Sequence, residues 1–281
     1  MTEVRSVAVA GLGLIGGSLA RDLAARGIRV LGHDRDPAAV DAALREGVLA
    51  APLGEDFGGL EDGDVDALVL AVPVRAAVEV LAAAAPRLAS VRLVTDAGST
   101  KRGIAAAAER LGLATRFVGA HPLAGDHVSG WSASRLDLFA GARVYLCPPP
   151  DASSEARDLA RALWTTVGGS VVEMGAAEHD HLLAWTSHLP QIASTALATA
   201  LAGQGIAPAD LGRGGRDVTR LAASSPAVWA DIALDNADAL LEAVDALRGR
   251  LDAFRLALER GDGKRVHDLF AAGQAWSRGR K

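Results

Sequence analysis

Three glycines near the start of the chain, in the segment Gly11-Leu12-Gly13-Leu14-Ile15-Gly16, restrict the fold more than any other feature. An apolar run at residues 4–10 directly precedes them, and a helical pattern directly follows. In a strand–turn–helix unit, the first glycine permits the tight turn, the second lets the backbone approach a pyrophosphate, and the third allows close packing of helix on strand. The pattern predicts a dinucleotide site; a glycine turn in another α/β fold is the alternative. The predicted cofactor-binding residues of this loop are Gly11, Gly13, Leu14, Ile15 and Gly16.

The first half of the chain alternates short β-branched runs with longer alanine-rich stretches, which is typical of a parallel sheet with crossover helices. Strands are predicted at residues 4–10, 28–33, 67–72, 91–95, 117–120, 143–147 and 170–173. Helices are predicted at residues 14–26, 37–46, 75–88, 101–111 and 154–167. This half is therefore predicted to be an α/β Rossmann-type doubly wound sheet, with its domain at residues 1–174.

The second half contains no convincing strand and is predicted to be helical at residues 176–202, 226–260 and 262–277. Pro190 lies inside the first of these segments and should kink or divide it. The helices carry few charges on their apolar faces, so a homodimer that covers those faces is expected. We predict an all-α substrate and dimerisation domain at residues 175–281. The short remainder after the last helix predicts no C-terminal regulatory domain.

Composition excludes several classes of protein. The 281 residues are 50% hydrophobic, with 29 Lys and Arg against 34 Asp and Glu, and the net charge is −5. This acidic balance gives no reason to expect nucleic acid as a partner. No stretch of about 18 apolar residues lacks a charge, so no membrane partner is expected. The one cysteine, Cys147, cannot form an internal disulfide, which favours a cytoplasmic protein.

Asp34 ends the second predicted strand, 18 residues beyond Gly16, where an acid binds the ribose hydroxyls of NAD. Its carboxylate would repel a 2′-phosphate, so NAD is the predicted cofactor, although the adjacent Arg35 leaves NADP open. Val72 and Pro73 follow a buried strand at the edge where a doubly wound sheet binds ligands. We expect them near the cofactor, while a plain strand terminus explains them equally well.

Two polar segments follow later strands and should emerge at the same edge of the sheet. Ser99 lies in the segment T-D-A-G-S-T-K, and His121 lies in G-A-H-P-L-A-G. A histidine beside a nicotinamide can accept the proton of an alcohol that loses hydride, because its pKa lies near working pH. His121 is therefore a candidate catalytic residue. For Ser99, capping of the next helix is the alternative.

Polar residues in the helical half offer two further candidate sites. On a continuous helix, His181, His188 and Gln191 would share one face. A metal site is rejected because no acidic residue or fourth ligand recurs at helical spacing, so no metal is predicted. A glycine-rich segment at residues 214–221 contains Arg220, and arginine is suited to bidentate carboxylate recognition.

Taken together, the motifs resemble the prephenate/arogenate dehydrogenase family. They are G-L-G-L-I-G-G-S-L-A, T-D-A-G-S-T-K, G-A-H-P-L-A-G, S-H-L-P-Q, R-D-V-T-R and the following Trp229, in this order from residue 11 to about residue 231. The resemblance implies NAD(P)-dependent oxidative decarboxylation of prephenate or arogenate in tyrosine biosynthesis. It further implies that His121 accepts the proton of the ring hydroxyl and that Ser99 orients this histidine.

The resemblance also implies a set of substrate-binding residues. Arg220 would bind a substrate carboxylate with Asp217 holding it in place, and His179 and Trp229 would lie at the pocket. Two other positions depart from the prephenate pattern. Some members carry an acid where this chain has His127, and prephenate-specific members often carry histidine where it has Gln191. Prephenate is the expected substrate, while arogenate or dual use stays open. Since His127 and Gln191 lie near the group that distinguishes keto from amino substrates, both are included among the substrate contacts.

Two other classes of protein compete with this interpretation. The β-hydroxyacid dehydrogenases also join a dinucleotide domain to a helical one, but they use a lysine from the second domain, and residues 176–261 contain no lysine. A non-catalytic dinucleotide-binding sensor is the second alternative. It predicts cofactor binding without turnover.

Overall fold

A computed structural model describes residues 3–60, 64–125 and 128–279 of the chain. Its first half holds one eight-stranded sheet with the order β3-β2-β1-β4-β5-β6-β7-β8. The strands are β1 (Ser6–Ala10), β2 (Arg29–His33), β3 (Ala51–Pro52), β4 (Ala67–Leu70), β5 (Leu93–Asp96), β6 (Phe117–Pro122), β7 (Arg143–Cys147) and β8 (Ser170–Glu173). The two-residue strand β3 has too little pattern to be predicted from sequence.

Helices cover both faces of the sheet, as the alternating pattern predicted. They are α1 (Leu14–Ala25), α2 (Pro37–Arg45), α3 (Val74–Ala84), α4 (Arg102–Arg110) and α5 (Ser154–Thr166). Strands β1 and β4 are buried along their whole length because they lie in the middle of the sheet. The predicted doubly wound fold is confirmed.

One strand pair differs from the predicted parallel arrangement. β7 runs antiparallel to β6, whereas every other neighbouring pair of the sheet is parallel. A parallel neighbour requires a crossover of a dozen or more residues, usually a helix. Between β6 and β7, the described residues form only the short 3₁₀ turn Trp131–Ala133, so the chain returns in the opposite direction.

The second half is helical throughout the part that the structure describes, as predicted. Its helices are α6 (Ala176–Leu183), α7 (Leu189–Gly203), α8 (Arg213–Thr219), α9 (Pro226–Asp235), α10 (Ala237–Glu259) and α11 (Gly263–Arg278). A π turn at Ala184–His188 separates α6 from α7. Pro190 lies in the first turn of α7, where its missing N–H costs no helical hydrogen bond.

The predicted helix at residues 226–260 is interrupted at Asn236, which separates α9 from α10. Its side chain is fully buried and bonded to other elements, so tertiary contacts determine this break. Among the helices described above, none combines the length and apolar character that a bilayer crossing requires.

Candidate active site

The glycine loop leaves an open surface between β1 and α1. Gly11 has φ +94°, and a side chain there would meet the carbonyl oxygen of Ala71 at 2.5 Å. A side chain at Gly16 would overlap the carbonyl oxygen of Gly11, whereas one at Gly13 would meet nothing within 4 Å. Thus Gly11 and Gly16 are required by the fold itself. Gly13 instead keeps clear a space beside the first turn of α1, where unpaired N–H groups favour an anion such as a pyrophosphate.

Two cavities lie beside this loop, one on each side. The first, of about 510 Å³, is lined by residues around the end of β2, including Asp34 and Arg35. The second, of about 210 Å³, is lined by Gly13, Leu14, Ile15, Ala71, Val72, Pro73, Val74, Ala97, Gly98, Ser99, Val228 and Ile232. Since α9 contributes the last two residues, the second cavity lies between the sheet and the helical half. The pair of cavities fits the two halves of a dinucleotide.

Asp34 is oriented by the backbone around it. One carboxylate oxygen accepts the Leu12 N–H at 2.6 Å, and the other accepts the Asp36 N–H at 2.9 Å. These bonds hold a fixed negative charge at the end of β2, where the ribose hydroxyls of NAD would bind.

A third cavity, of about 460 Å³, adjoins the second; we call it the His121 cavity. Its lining comprises Ser99, His121, Leu123, Arg143, Tyr145, Leu182, Leu183, Thr186, Ser187, His188 and Trp229. Ser99 lines both this cavity and the second cavity, which we call the cofactor cavity. His121 therefore lines a cavity that adjoins the smaller cavity beside the glycine loop.

His121 is the first member of a hydrogen-bonded relay that runs away from the cavity. Its Nδ1 lies 2.9 Å from Nε2 of His179, and Nδ1 of His179 lies 2.8 Å from Oδ1 of Asp180. The side chains of His179 and Asp180 are fully buried, and the ring of Tyr145 packs edge-on against His179. We refer to these three residues as the relay.

Asp180 is held by donors from the start of α4. The Lys101 N–H bonds to Oδ1 at 2.8 Å, and the Arg102 N–H and Nε–H bond to Oδ2 at 2.9 and 3.2 Å. Burial by itself would raise the pKa of Asp180, but the hydrogen bonds from His179, Arg102 and Lys101 lower it below its usual value. Asp180 is therefore a carboxylate at neutral pH.

Below the His121 cavity, Lys101 and Asp96 form a buried ion pair. The side chains are 0% and 2% exposed. Lys101 Nζ also donates to the Ala120 carbonyl at 2.7 Å, and Asp96 accepts the N–H groups of Gly98 and Ala120. This pair ties the end of β5 to β6 and thereby fixes the strand that carries His121.

Burial lowers the pKa of His121 well below its usual value, and the charge of Lys101 and the rings of His179 and His188 lower it further. His121 is consequently unprotonated at neutral pH. A proton acceptor must be in this state before it reacts.

His188 lies across the same cavity, with its ring edge-on to Trp229. Burial lowers its pKa to about 4, so the ring is neutral. The amide nitrogen of Asn236 lies 3.2 Å from Nδ1 of His188 and 2.7 Å from the Asp180 carbonyl oxygen. Because that amide donates, the proton of His188 belongs on Nε2, which is buried and has no hydrogen-bond partner among the described residues. His188 is therefore a neutral ring in the cavity lining, and the protein encloses its Nε2–H.

Several predicted substrate contacts lie elsewhere. His179 is enclosed behind His121 with both ring nitrogens engaged, so it does not line the cavity. Gln191 lines an adjacent apolar cavity of about 450 Å³, and its amide donates to the Leu221 carbonyl at 2.7 Å. Trp229 lines both of these cavities. The predicted contact His127 lies outside the described residues.

Arg220 and Asp217 line a separate cavity of about 570 Å³ between α7 and α8. Asp217 lies 4.0 Å from Arg213, and the structure shows no ion pair between Asp217 and Arg220, both of which it describes. The predicted contact between Asp217 and Arg220 is therefore wrong. In this short helix, Arg213 and Asp217 are four positions apart and therefore lie on one face.

His181, His188 and Gln191 would share one face only on a continuous helix, and a π turn interrupts that helix. His181 is exposed, whereas His188 and Gln191 are buried. The π turn between them adds a residue to the helical repeat and so rotates the two parts relative to each other. Among the described residues, no group of three His, Cys, Asp or Glu side chains is arranged to hold a metal ion.

Four residues of the site were missed in the sequence: Lys101, Arg143, Asp180 and Asn236. Asp180 follows His179 directly, and an acid beside a histidine was the one local signal that could have identified it. Arg143 and Asn236 reach the site through long-range packing, for which the local sequence contains no signal. Lys101 ends the T-D-A-G-S-T-K segment that carries Ser99.

Comparison with known proteins shows related sequences along most of the chain. The family described as prephenate dehydrogenase, nucleotide-binding domain, matches residues 19–173, and prephenate dehydrogenase, dimerization domain, matches residues 175–272. A cyclohexadienyl dehydrogenase of Zymomonas mobilis is 34% identical over 284 residues, which cover 98% of this chain and 95% of that protein. A prephenate dehydrogenase of Bacillus subtilis is 32% identical over 274 residues, covering 94% and 73%.

Solved structures show the same relationship. A prephenate dehydrogenase from A. aeolicus, in complex with hydroxyphenyl propionate and NAD⁺, superimposes with a TM-score of 0.89 at 28% identity and covers 99% of both chains. An arogenate dehydrogenase from Synechocystis gives a TM-score of 0.82 at 28% identity, covering 97% of this chain and 99% of that one.

Proposed function

The chain belongs to the prephenate dehydrogenase family, and on this premise we propose that it catalyses the NAD-dependent oxidative decarboxylation of prephenate to 4-hydroxyphenylpyruvate, a step of tyrosine biosynthesis. The observation that carries the proposal is the position of Ser99, which lines both the cofactor cavity and the His121 cavity. A proton acceptor thus lies beside the place where a nicotinamide would end.

NAD, when bound along Gly13 and Ser99, supplies the hydride acceptor for the ring carbon that carries the hydroxyl. His121 accepts the hydroxyl proton at Nε2, since its Nδ1 is engaged by His179. Loss of the ring carboxylate as CO₂ then leaves an aromatic ring. Ser99 orients His121 toward the substrate. A positioned general base of this kind contributes about 10²- to 10⁴-fold to a rate.

The dianionic substrate needs a cation in its cavity, and the structure places Arg143 there. Its guanidinium donates to the Tyr145 hydroxyl at 3.3 Å, and both side chains line the cavity. We expect Arg143→Gln to raise KM for prephenate about tenfold with a smaller change in kcat, because a charge-assisted hydrogen bond contributes about 1.5–3 kcal/mol. Steady-state kinetics measure this. An unchanged KM would remove Arg143 from the binding site.

Arg220 remains the carboxylate ligand that the family resemblance implies. Asp217, in the same segment, remains a proposed substrate contact. A substrate with two carboxylates can use two arginines, and the Arg143 kinetics are therefore best compared with those of Arg220→Gln. A rise in KM for both variants supports two anchors. A rise for Arg220→Gln alone assigns the role to the helical half.

Arogenate is the alternative substrate. It is favoured by the two relatives named cyclohexadienyl and arogenate dehydrogenase and by the residue Gln191, whose amide is bonded within the helical half rather than facing His121. His127 stays a predicted contact near the same part of the substrate.

The purified protein tests the proposal when prephenate and arogenate are offered separately, each with NAD and with NADP, and reduced nicotinamide is followed by absorbance. We expect the highest kcat/KM with prephenate and NAD, because the fixed carboxylate of Asp34 would repel the 2′-phosphate of NADP. Binding of NAD without turnover of either substrate would instead support the sensor alternative.

A homodimer is part of the proposal, with the division of the chain at residue 174. The match of residues 175–272 to a dimerization domain supports both. The dimer is also supported by large apolar side chains that are exposed on α9, α10 and α11. They are Leu234, Leu241, Leu251, Leu258 and Phe270. Sedimentation should give twice the chain mass of 28.8 kDa at micromolar concentration, and a monomer would contradict the dimer.

A cytoplasmic location is proposed because NAD is an intracellular metabolite; cell fractionation tests it.

A further inference from the structure

We propose that Asp180 and His179 are positioning residues that fix the tautomer of His121, so that the lone pair of its Nε2 faces the cavity. The proposal rests on the proposed function for its kinetic readout. Its spectroscopic readout needs neither substrate nor turnover.

The hydrogen bonds of the relay determine the proton positions, starting from Asp180. A carboxylate only accepts, so Nδ1 of His179 must carry a proton to bond Oδ1 at 2.8 Å. In a neutral ring, Nε2 of His179 is then an acceptor. The 2.9 Å contact between this atom and Nδ1 of His121 requires the proton to lie on His121 Nδ1. His121 is left with an unprotonated Nε2.

The direction of the relay is fixed because Asp180 cannot readily exchange its role. Its two oxygens accept three N–H groups from Lys101 and Arg102 in addition to the bond with His179. Arg102 is held in turn by Asn236 and by a bidentate ion pair with Asp238 on α10. The anchor thus extends across α4, α6 and α10.

Other charged or titratable groups near the relay come from every element packed on it. The Lys101–Asp96 pair lies below β6, His188 faces the relay from the π turn, and Tyr145 and Arg143 lie on β7. Of these groups, Tyr145 packs its ring edge-on against His179, with 5.5 Å between the ring centroids. They act on its electrostatics, whereas the proton positions follow from the hydrogen bonds.

The tautomer decides whether His121 can react. With its proton on Nδ1, Nε2 forms the new N–H bond as the substrate O–H bond breaks, and the resulting positive ring is stabilised through His179 by the Asp180 carboxylate. With its proton on Nε2, the cavity side of His121 is already protonated and cannot accept. In serine proteases a carboxylate sets the histidine tautomer in the same manner, and its replacement by an amide lowers kcat about 10⁴-fold.

Nitrogen-15 NMR of the histidine rings in the substrate-free protein tests the proposal first. In the wild-type enzyme we expect His121 to show a protonated Nδ1 and an unprotonated Nε2 at neutral pH. A wild-type His121 with its proton on Nε2 would overturn the proposal, whatever the substrate of the enzyme.

Asp180→Asn should reverse the relay. Arg102 supplies two donors to Oδ2, whereas Lys101 supplies one to Oδ1, so the new amide oxygen takes the Oδ2 position and the amide nitrogen donates to His179. His179 then donates to His121, whose proton moves to Nε2. We expect this change in the NMR spectrum together with a fall in kcat of about 10²- to 10⁴-fold and little change in KM.

Glu178→Gln is the matched control, because Glu178 precedes His179 on α6 but its side chain is exposed. It should keep the wild-type tautomer and a kcat within about threefold. If Asp180→Asn does not fold, His179→Phe removes the acceptor of His121 Nδ1–H and should give both tautomers of His121 with a similar loss of kcat. Retention of the wild-type tautomer and kcat in either folded relay variant would overturn the proposal.

Discussion

His121→Ala is expected to lower kcat with prephenate about 10²- to 10⁴-fold while leaving the affinity for NAD close to that of the wild type. His121 lines one cavity together with Ser99, which also lines the smaller cavity beside the glycine loop. Burial keeps it unprotonated at neutral pH, so its removal abolishes a base that is ready to act. Steady-state kinetics and NAD titration measure the two effects separately.

His181→Ala is the matched control for this variant. His181 belongs to α6, close in sequence to the relay, but its side chain is exposed. Its kcat should stay within about twofold of the wild type, since surface substitutions have small effects. A His121→Ala enzyme with near-normal kcat would mean that another group accepts the proton.

The pH dependence of kcat/KM should reflect the unprotonated state of His121. Because burial holds the pKa of His121 well below its usual value of about 6.5, lowering the pH from 8 to 6.5 should not protonate it. We expect kcat/KM, which reports the groups of the free enzyme, to stay level over that range and to fall only at more acidic pH. A loss of kcat/KM centred at pH 6.5 or above would contradict the lowered pKa of this base.

Asp96→Ala is expected to lower the free energy of unfolding by about 3–5 kcal/mol, a large part of the 5–15 kcal/mol typical of a folded domain. Among the described residues, the substitution leaves the fully buried ammonium of Lys101 with the Ala120 carbonyl as its one remaining partner. Lys101→Met should cost less, because Asp96 would retain the N–H groups of Gly98 and Ala120. Urea denaturation measures both variants.

The exposed pair Lys264–Asp268 on α11 is the control for burial, since its side chains are 86% and 43% exposed. Asp268→Ala should leave the urea midpoint unchanged within error, because exposed ion pairs contribute little. Equal shifts for Asp96→Ala and Asp268→Ala would show that burial does not determine the energetic importance of the Asp96–Lys101 pair.

Much of the cofactor half could be predicted because its signals are local. The glycine loop, the strands and the residues just after them are adjacent in sequence, and the carboxyl ends of parallel strands meet at one edge. Ser99 and His121 were placed together on this reasoning alone, and the structure brings both to one cavity. The family resemblance drawn from the motifs is confirmed by the matches to both halves.

The helical half was harder to predict because its contacts are long-range. His179 was expected in the pocket, but the docking of α6 on α4 buries it between His121 and Asp180. A periodic pattern could not show the π turn before α7 or the break at Asn236, which depend on packing partners far away in sequence. Arg220 illustrates the same limit: its residue type indicated a carboxylate ligand, while its position depends on how α7 and α8 pack.

The most direct test of the account is a product balance with purified protein, prephenate and NAD, followed in the wild type and in His121→Ala. For each prephenate consumed, the wild type should release one CO₂, form one NADH and yield one 4-hydroxyphenylpyruvate, and His121→Ala should slow all three together. NAD binding without any of these products, or NADH formation without CO₂, would contradict the proposed oxidative decarboxylation.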